Sequence, residues 1–566
     1  MGILEIKRKN NFKAFSFKTI RVKSNLKFFH LSKEIKKEMS QSKEASLTPE
    51  FSGLRAVFWP IHTYELKKFL PMGFMMFCIL FNYTIVRDLK DALVVKQIGG
   101  AAISFVKFWA TMPAAILFVV IYTKLSSILS KKQLFYVSLV PFLLFFAGFG
   151  FVLYPNLDMI TPAQSSIDNL VAGYPRFEFF FRMYGKWPLT LFYAFAELWG
   201  SVVISLLFWQ FANDITRIRE AKRFYSLFGM IANLGLVASG LTLIYFSNRV
   251  QLYSNSLLGW SHNLQYIMGI FVLFGIAVLL IYNWMHKNVL TDPLLYDPED
   301  KNPKKKKTKL GLIDSVKLIF TSKYIGLIAA LVLCYGIAIN LIEVTWKNQL
   351  GHYLHSEHEY TAFMGKFSLI TGLVVIPFMF IGSNIVRKLG WRFAAAATPI
   401  MIALTGFLFF SSILFSQADW MKWILGVISM TPIVLAVYMG MVQNILSKAT
   451  KYSLFDATKE MSYIPLSDDL KVKGKAAVDV IGGRMGKSGG SVIQQTLIMT
   501  LAVGVADPQS AITPYLLGFV GVIIAVWLVA VGGLSKLFGQ VSKEKEEELA
   551  EIRSRERREK LETTHV

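Results

Sequence analysis

Lys107, Glu197, Glu343 and Lys487 lie in or at the edge of long apolar segments. A charge at the centre of a bilayer costs several kcal/mol, so residues of this kind face a water-filled path and are functional by default. Two cations and two anions, shared between the two halves of the chain, point to a carrier for a charged solute. The lysines attract an anion. The carboxylates keep it from sticking, pair with the lysines when the site is empty, or read polar groups on the solute.

Each residue has a structural alternative. Glu197 sits inside YAFAELWGSVVISLLFW, too deep for a short carboxylate to snorkel; a buried ion pair without function competes with a functional role. Glu343 closes its segment in NLIEVTWKNQL and is followed by Trp346 and Lys347. Trp346 reads as an interfacial belt residue rather than a base-stacking platform. Lys107 is placed near the outer face and Lys487 near a segment end, where a lysine can snorkel to the interface. Arg87, Asp88 and Lys90 in RDLKD read as an interfacial cap. Together with Lys347 and Arg484 they form a second rank of substrate-contact candidates. Asn82, Asn233 and Asn340 read as helix-packing glue.

GRMGKSGG at 483–490 resembles a phosphate-binding loop only in part. That motif needs glycine six residues before its lysine, where this chain has Ile481, and no strand pattern precedes it. A glycine-rich helix start still exposes backbone amides that favour anions, and Lys487 there can meet a phosphate as a point charge. No metal constellation, nucleophile triad or nucleotide-hydrolysing domain is visible, so neither metal nor cofactor is expected.

The elements that must hold these residues are membrane spans. The 566-residue chain is 54% hydrophobic and 14% aromatic, with mean hydropathy +0.46, which excludes an ordinary soluble globule. A span needs about 20 mostly apolar residues. About twelve segments qualify by that rule: 69–86, 104–123, 133–153, 188–210, 224–247, 264–285, 324–343, 366–386, 393–415, 421–445, 484–506 and 512–534. The expected fold is an all-α polytopic bundle of the major-facilitator plan, with two six-helix halves. Cys78 and Cys334 both fall in apolar runs and make no disulfide framework.

The net charge of +24 sits in loops and tails, the pattern of cytoplasmic loops facing anionic lipid rather than of nucleic-acid binding. Alternate loops carry Lys124, Lys131 and Lys132; Arg217, Arg219, Lys222 and Arg223; Lys304 to Lys307 with Lys309; Arg387, Lys388 and Arg392; and Lys448, Lys451 and Lys471 to Lys475. These loops and both termini are expected in the cytoplasm. The expected divisions are a basic N-terminal region 1–68, a first half 69–285, a basic linker 286–323, a second half 324–535 and a charged tail 536–566. YSLF recurs at 225–228 and 452–455, which supports two related halves. Residues 1–38 read as a plain cytoplasmic tail or as a start placed upstream of Met39, and 541–566 as a solvated helix.

At these same residues the chain resembles the bacterial and plastidic ATP/ADP translocase family, nucleotide transporters of intracellular bacteria and plastids. The matching runs are WPIHTYELKKFLP at 59–71, FNYTIVRDLKDALVV at 81–95, YTKLSSILSKKQLFY at 122–136, AELWGSVVISLLFW at 196–209, INLIEVTWKNQL at 339–350 and KGKAAVDVIGGRMGKSGGS at 473–491. The combination of AELWGS, EVTWK and GKSGG in this order is specific, and the chlamydia-like members look nearest. The resemblance implies exchange of cytosolic ADP for host ATP without hydrolysis, across the inner membrane of an intracellular bacterium. Its four transport charges carry over by motif: Lys107 in FVKFW, Glu197 in AELWG, Glu343 in EVTWK and Lys487 in GKSGG. ATP, ADP and membrane lipid are the expected partners, nucleic acid is not, and a monomer is the default. The chain departs from the family in the extension 1–38 and in VRDLKD where relatives often read LRDTKD. A proton-coupled net importer of several nucleotides is the alternative. A structural or lipid-handling protein leaves the intramembrane charges without a role.

Overall fold

The computed structural model describes residues 55, 59–296, 312–467, 470, 474–475, 478 and 482–564. The extension 1–38 and the run Lys304 to Lys307 with Lys309 lie outside these residues, as does the side chain of Arg484. The chain divides into a unit 1–64 and a unit 65–566. In the first, the rings of His62 and Tyr64 stack 5.5 Å apart. The second is helical, with no strand among the described residues.

Among the described residues, twelve long helices organise it, beside shorter ones such as Gln164–Gly173 and Asp419–Ile428: α1 (Leu66–Gln97), α2 (Ala102–Ile128), α3 (Lys131–Leu153), α4 (Trp187–Ile215), α5 (Ile218–Arg249), α6 (Ser256–Asn288), α7 (Lys323–Tyr353), α8 (357–389), α9 (391–414), α10 (Pro432–Ser462), α11 (Gly483–Leu501) and α12 (Thr513–Thr564). Among the described residues, eleven helices are long and apolar enough to cross a membrane. The remaining one, α11, is diluted by glycine, glutamine and threonine. Its composition suits a helix packed on protein rather than on lipid.

Local signals set the boundaries. Ser130 caps α3 with a reciprocal bond to Gln133, and Ser356 caps α8 in the same way with Glu359. Gly390, at φ +80°, breaks the helical run Glu357–Leu414 into α8 and α9. That backbone conformation strains any residue with a Cβ.

Among the spans that outrun the ends expected from hydropathy, three do so through charges that sequence reading puts at interfaces or in loops. The first runs to Gln97 rather than 86, the seventh to Tyr353 rather than 343, and the tenth spans Pro432–Ser462 rather than 421–445. RDLKD is therefore inside α1, not an interfacial cap. Glu343 lies inside α7, and Lys448 and Lys451 lie inside α10, not in a loop. In α1 and α7 charges paired with partners on other helices need no solvent, so the helix continues through them; in α10 Lys451 pairs with Asp456 of its own helix and Lys448 lies on the Phe367 ring of α8. Trp346 is fully buried and its Nε1–H donates to Val437 O at 2.9 Å, so it is a packing residue and not an interfacial one.

Small residues set the close helix contacts, as expected within membranes. Gly240 of α5 faces Gly365 of α8 so closely that a Cβ on either would lie within 2.8 Å of the other's carbonyl oxygen. Gly482, Gly486 and Gly490 form one stripe of α11 at helical spacing, lying on Val332, Gly336 and Asn340 of α7. Gly486 and Gly490 of GRMGKSGG are thus spent on helix packing. Asn82 bonds Phe271 O on α6 at 2.8 Å, and Asn340 accepts from Gln494 at 3.0 Å, both as glue between helices. Asn233 instead bonds its own helix at Gly229 O. The first YSLF lies inside α5, the second in a π-turn of α10. The charged tail continues α12 as helix to Thr564.

Candidate functional site

Three helices bring their charges into one chain of ion pairs. Lys90 on α1 contacts Glu197 on α4 at 3.0 Å and Asp91 at 2.8 Å. Asp91 also contacts Lys347 on α7 at 2.8 Å, and Lys347 contacts Glu343 one turn earlier at 2.9 Å. The order is Glu197–Lys90–Asp91–Lys347–Glu343, crossing from the first six helices to the last six. Lys90 also lies 3.8 Å from the centre of the Tyr193 ring. The middle of the chain is sealed: Lys90, Asp91 and Lys347 are at most 3% exposed. Its ends are open, with the Glu197 and Glu343 side chains each 24% exposed. A solute reaching this chain therefore meets the two glutamates before the lysines they hold.

Lys107 and Lys487 stand opposite those ends. Among the described residues neither makes an ion pair within 4.0 Å. The carboxylate acting most strongly on Lys107 of α2 is Glu343, from the other half. The one acting most strongly on Lys487 of α11 is Glu197, again across the halves. The structure thus brings all four primary residues together. It differs from expectation in the pairing: the glutamates hold Lys90 and Lys347, and Lys107 and Lys487 are left over.

Beside this chain, Arg87 contacts Asp88 through Nε at 2.9 Å and donates through Nη2 to Ser368 Oγ on α8 at 2.7 Å. The Ser368 hydroxyl donates to Asp88 at 2.5 Å, closing the triangle. Lys448 on α10 lies nearby, with its ammonium 4.3 Å from the centre of the Phe367 ring. Asp91 and Lys448 are not among the site candidates drawn from the sequence, which puts Lys448 in a cytoplasmic loop.

Three π-helical turns accompany these charges. Val106–Thr111 carries Lys107, Gly200–Phe208 follows Glu197 within one turn, and Lys451–Phe455 follows Lys448. A π-turn inserts one residue into the helix and re-aims the side chains beside it, which is why such turns gather at functional sites. Nothing in the hydropathy pattern marks them.

The two ends of the bundle differ. At the end away from the basic loops, bonds join the halves. Lys96 donates to Gly351 O at 3.0 Å and Leu354 O at 2.7 Å. Glu357 of α8 accepts from Gln97 at 2.6 Å and from Tyr154 and Trp260. Gln495 accepts from Trp109 and donates to Ser104 O, both at 2.9 Å. Gly100 lies directly against Asn348. At the basic end, Lys68–Glu220 at 2.6 Å stays within the first half, and Tyr324 to Ser462 O at 2.7 Å within the second. Bonds between the halves thus gather at the far end, while Lys487 is exposed and the two glutamates are partly exposed.

Similarity to known proteins follows the same outline. The model of the family described as TLC ATP/ADP transporter matches residues 44–538. The chain is 49% identical to "ADP,ATP carrier protein 1" of Rickettsia bellii, over 86% of its own length and 96% of the relative's. It is 48% identical to "ADP,ATP carrier protein 1" of Chlamydia pneumoniae, over 88% of its length and 97% of the relative's. The chlamydial protein is thus matched no more closely than the rickettsial one. Among solved structures, a bacterial homologue of the iron transporter ferroportin in an inward-facing state superposes with TM-score 0.52 at 12% identity, covering 85% of this chain and 100% of that one. At that identity the likeness concerns the fold alone, which is polytopic, all-α and major-facilitator-like. With the family model and the relatives both spanning most of its length, the chain belongs to the TLC ATP/ADP transporter family.

Proposed function

We propose that this protein exchanges ATP for ADP across a bacterial inner membrane, importing ATP without hydrolysing it, with its basic loops and both termini in the cytoplasm. The observation that carries the reading is the pair of unpartnered lysines, Lys107 and Lys487, set against the exposed ends of an ion-pair chain that spans both halves. The relatives named ADP,ATP carrier protein supply the solute.

Charge explains the role of each residue. Three carboxylates and two lysines leave the chain with one negative charge, and Arg87 cancels Asp88. Lys107, Lys448 and Lys487 add three positive charges, so the site as a whole favours a polyanion. Lys107 and Lys487 contact the phosphate chain, each through charge-assisted hydrogen bonds worth about 1.5–3 kcal/mol. Glu197 and Glu343 hold Lys90 and Lys347 in place. They also keep the cavity from becoming an anion trap. Transport requires closing the basic end around the site. Closure of an empty site would seal unpartnered lysines away from water, at a cost of several kcal/mol per ion. A bound nucleotide removes that penalty, so only the loaded carrier crosses. This coupling makes the protein an exchanger.

The test is uptake of labelled ATP into proteoliposomes, with and without internal ADP and with and without a proton gradient. Uptake that needs internal ADP and ignores the gradient is the expected result. Uptake into empty vesicles driven by protons would replace exchange with net import.

A further inference from the structure

Lys448 is the cation of the cluster with no assigned work. It lies inside α10, just before the π-turn Lys451–Phe455, and is partly accessible to solvent. Among the described residues it makes no ion pair within 4.0 Å; its one recorded partner is the face of Phe367. Arg87 is its neighbour through α8: Phe367, whose ring lies under the Lys448 ammonium, and Ser368, which accepts from Arg87 Nη2, are consecutive residues. Arg87 commits Nε to Asp88 and Nη2 to Ser368, which leaves Nη1 free of both. It too is partly accessible, at 20%. Arg87 has Asp88 as its counter-charge, but Lys448 has no ion-pair partner among the described residues, so the pair keeps one uncompensated positive charge in the empty protein. An aromatic face attracts an ammonium but does not neutralise it. An anion seated between the two cations does.

We propose that Lys448 and Arg87 form a second phosphate subsite, which takes the part of a nucleotide's phosphate chain that Lys107 and Lys487 do not reach. The inference rests on the exchange reading above and deepens it, since it assigns phosphate-number selectivity to a place. Arg87 offers a planar fork and Lys448 a point charge, a combination suited to a phosphate with several free oxygens. The subsite is built from α1 and α10, one helix from each half. A phosphate held there also links the halves, as the exchange mechanism needs.

Equilibrium titration of the purified full-length chain with ATP, ADP and AMP tests the subsite, comparing wild type with Lys448→Gln and Lys448→Arg. Loss of one charge-assisted contact weakens ATP binding by about tenfold or more in Lys448→Gln. ADP is affected less and AMP least, and Lys448→Arg keeps the wild-type order of affinities. Lys448→Met, which preserves the stem over Phe367, is the second variant should the glutamine variant not fold, and it should show the same ranking. Equal weakening for all three nucleotides, or none, would overturn the subsite. A wild-type chain that binds none of the three would instead overturn the ATP/ADP reading from which the subsite is drawn.

Discussion

At the scale of single residues, the charges divide by whether a partner holds them. Lys107 and Lys487 have no ion-pair partner among the described residues, so removing either should cost transport and not stability. Lys487→Ala is expected to lower ATP/ADP exchange in proteoliposomes by about tenfold or more, with the melting temperature of the detergent-purified protein unchanged; wild-type exchange in that variant would take Lys487 out of the site. Asp91 is the opposite case. It contacts both Lys90 and Lys347 at 2.8 Å and is fully enclosed. Asp91→Asn leaves two buried lysines short of a counter-charge, a change that typically costs about 3–5 kcal/mol. The variant should melt well below wild type, and an unchanged melting curve would mean that the ion chain does not hold the bundle together. The same division explains what could be read in advance. Lys107 and Glu197 stand alone in apolar sequence and are conspicuous. Asp91 and Lys448 sit among other charges, where the sequence looks like a loop, and only their three-dimensional partners reveal that they are inside.

At the scale of the helix, eleven elements were legible because lipid-facing surfaces demand apolar runs, whereas α11 is not apolar enough to be marked by that rule. Their ends were not, because hydropathy stops at a charge whether or not another helix neutralises it. The ends of α1, α7 and α10 were all misjudged at such charges. The glycines of α11 were legible as a motif but not as a packing device, since that depends on which helix lies opposite. The device makes a sharp prediction. A Cβ on Gly486 would lie 3.0 Å from the Gly336 Cα and 3.2 Å from Leu333 O, both backbone atoms that cannot step aside. Gly489, three residues on, has only the Ile337 side chain at 3.6 Å. Gly486→Val should therefore separate α11 from α7, displace Lys487 and reduce the yield of monodisperse protein on size-exclusion chromatography. Gly489→Ala should leave the yield near wild type. Equal yields from the two variants would count against the stripe as the reason for the glycines.

At the scale of the whole molecule, the basic loops foretold a polarity but not which end is closed. Closure is decided by bonds between the halves, made by residues of unremarkable type such as Gln97, Tyr154 and Trp260. Not all of the far-end contacts can switch. Burial alone would raise the Asp507 carboxyl, but hydrogen bonds from His352 and Ser510 outweigh it and hold it at about 2. Its folded value is depressed, so its stabilising contribution is present above the unfolded value and is lost only as pH falls toward 2. Asp507 and its bond from Asn348 thus persist at any physiological pH. Glu357 is the better candidate for a latch, because one carboxylate from the second half gathers three donors from the first. Trp260, the buried donor of the three, meets water when the far end opens, so deleting its acceptor penalises the closed state. An orphaned buried donor costs about 1–3 kcal/mol, and about 1.4 kcal/mol shifts a two-state population tenfold. Cys78 and Cys334 are buried, so a single cysteine placed at Val95, which packs on Gly351, can report opening against a low background. In Val95→Cys alone, a membrane-impermeant maleimide applied from the far side should label slowly. Adding Glu357→Ala should raise the rate by about tenfold or more, and bound nucleotide should change it by shifting the same equilibrium. An unchanged rate would place the closing energy elsewhere, in the backbone contacts of Gly100 and the Lys96 bonds to α7.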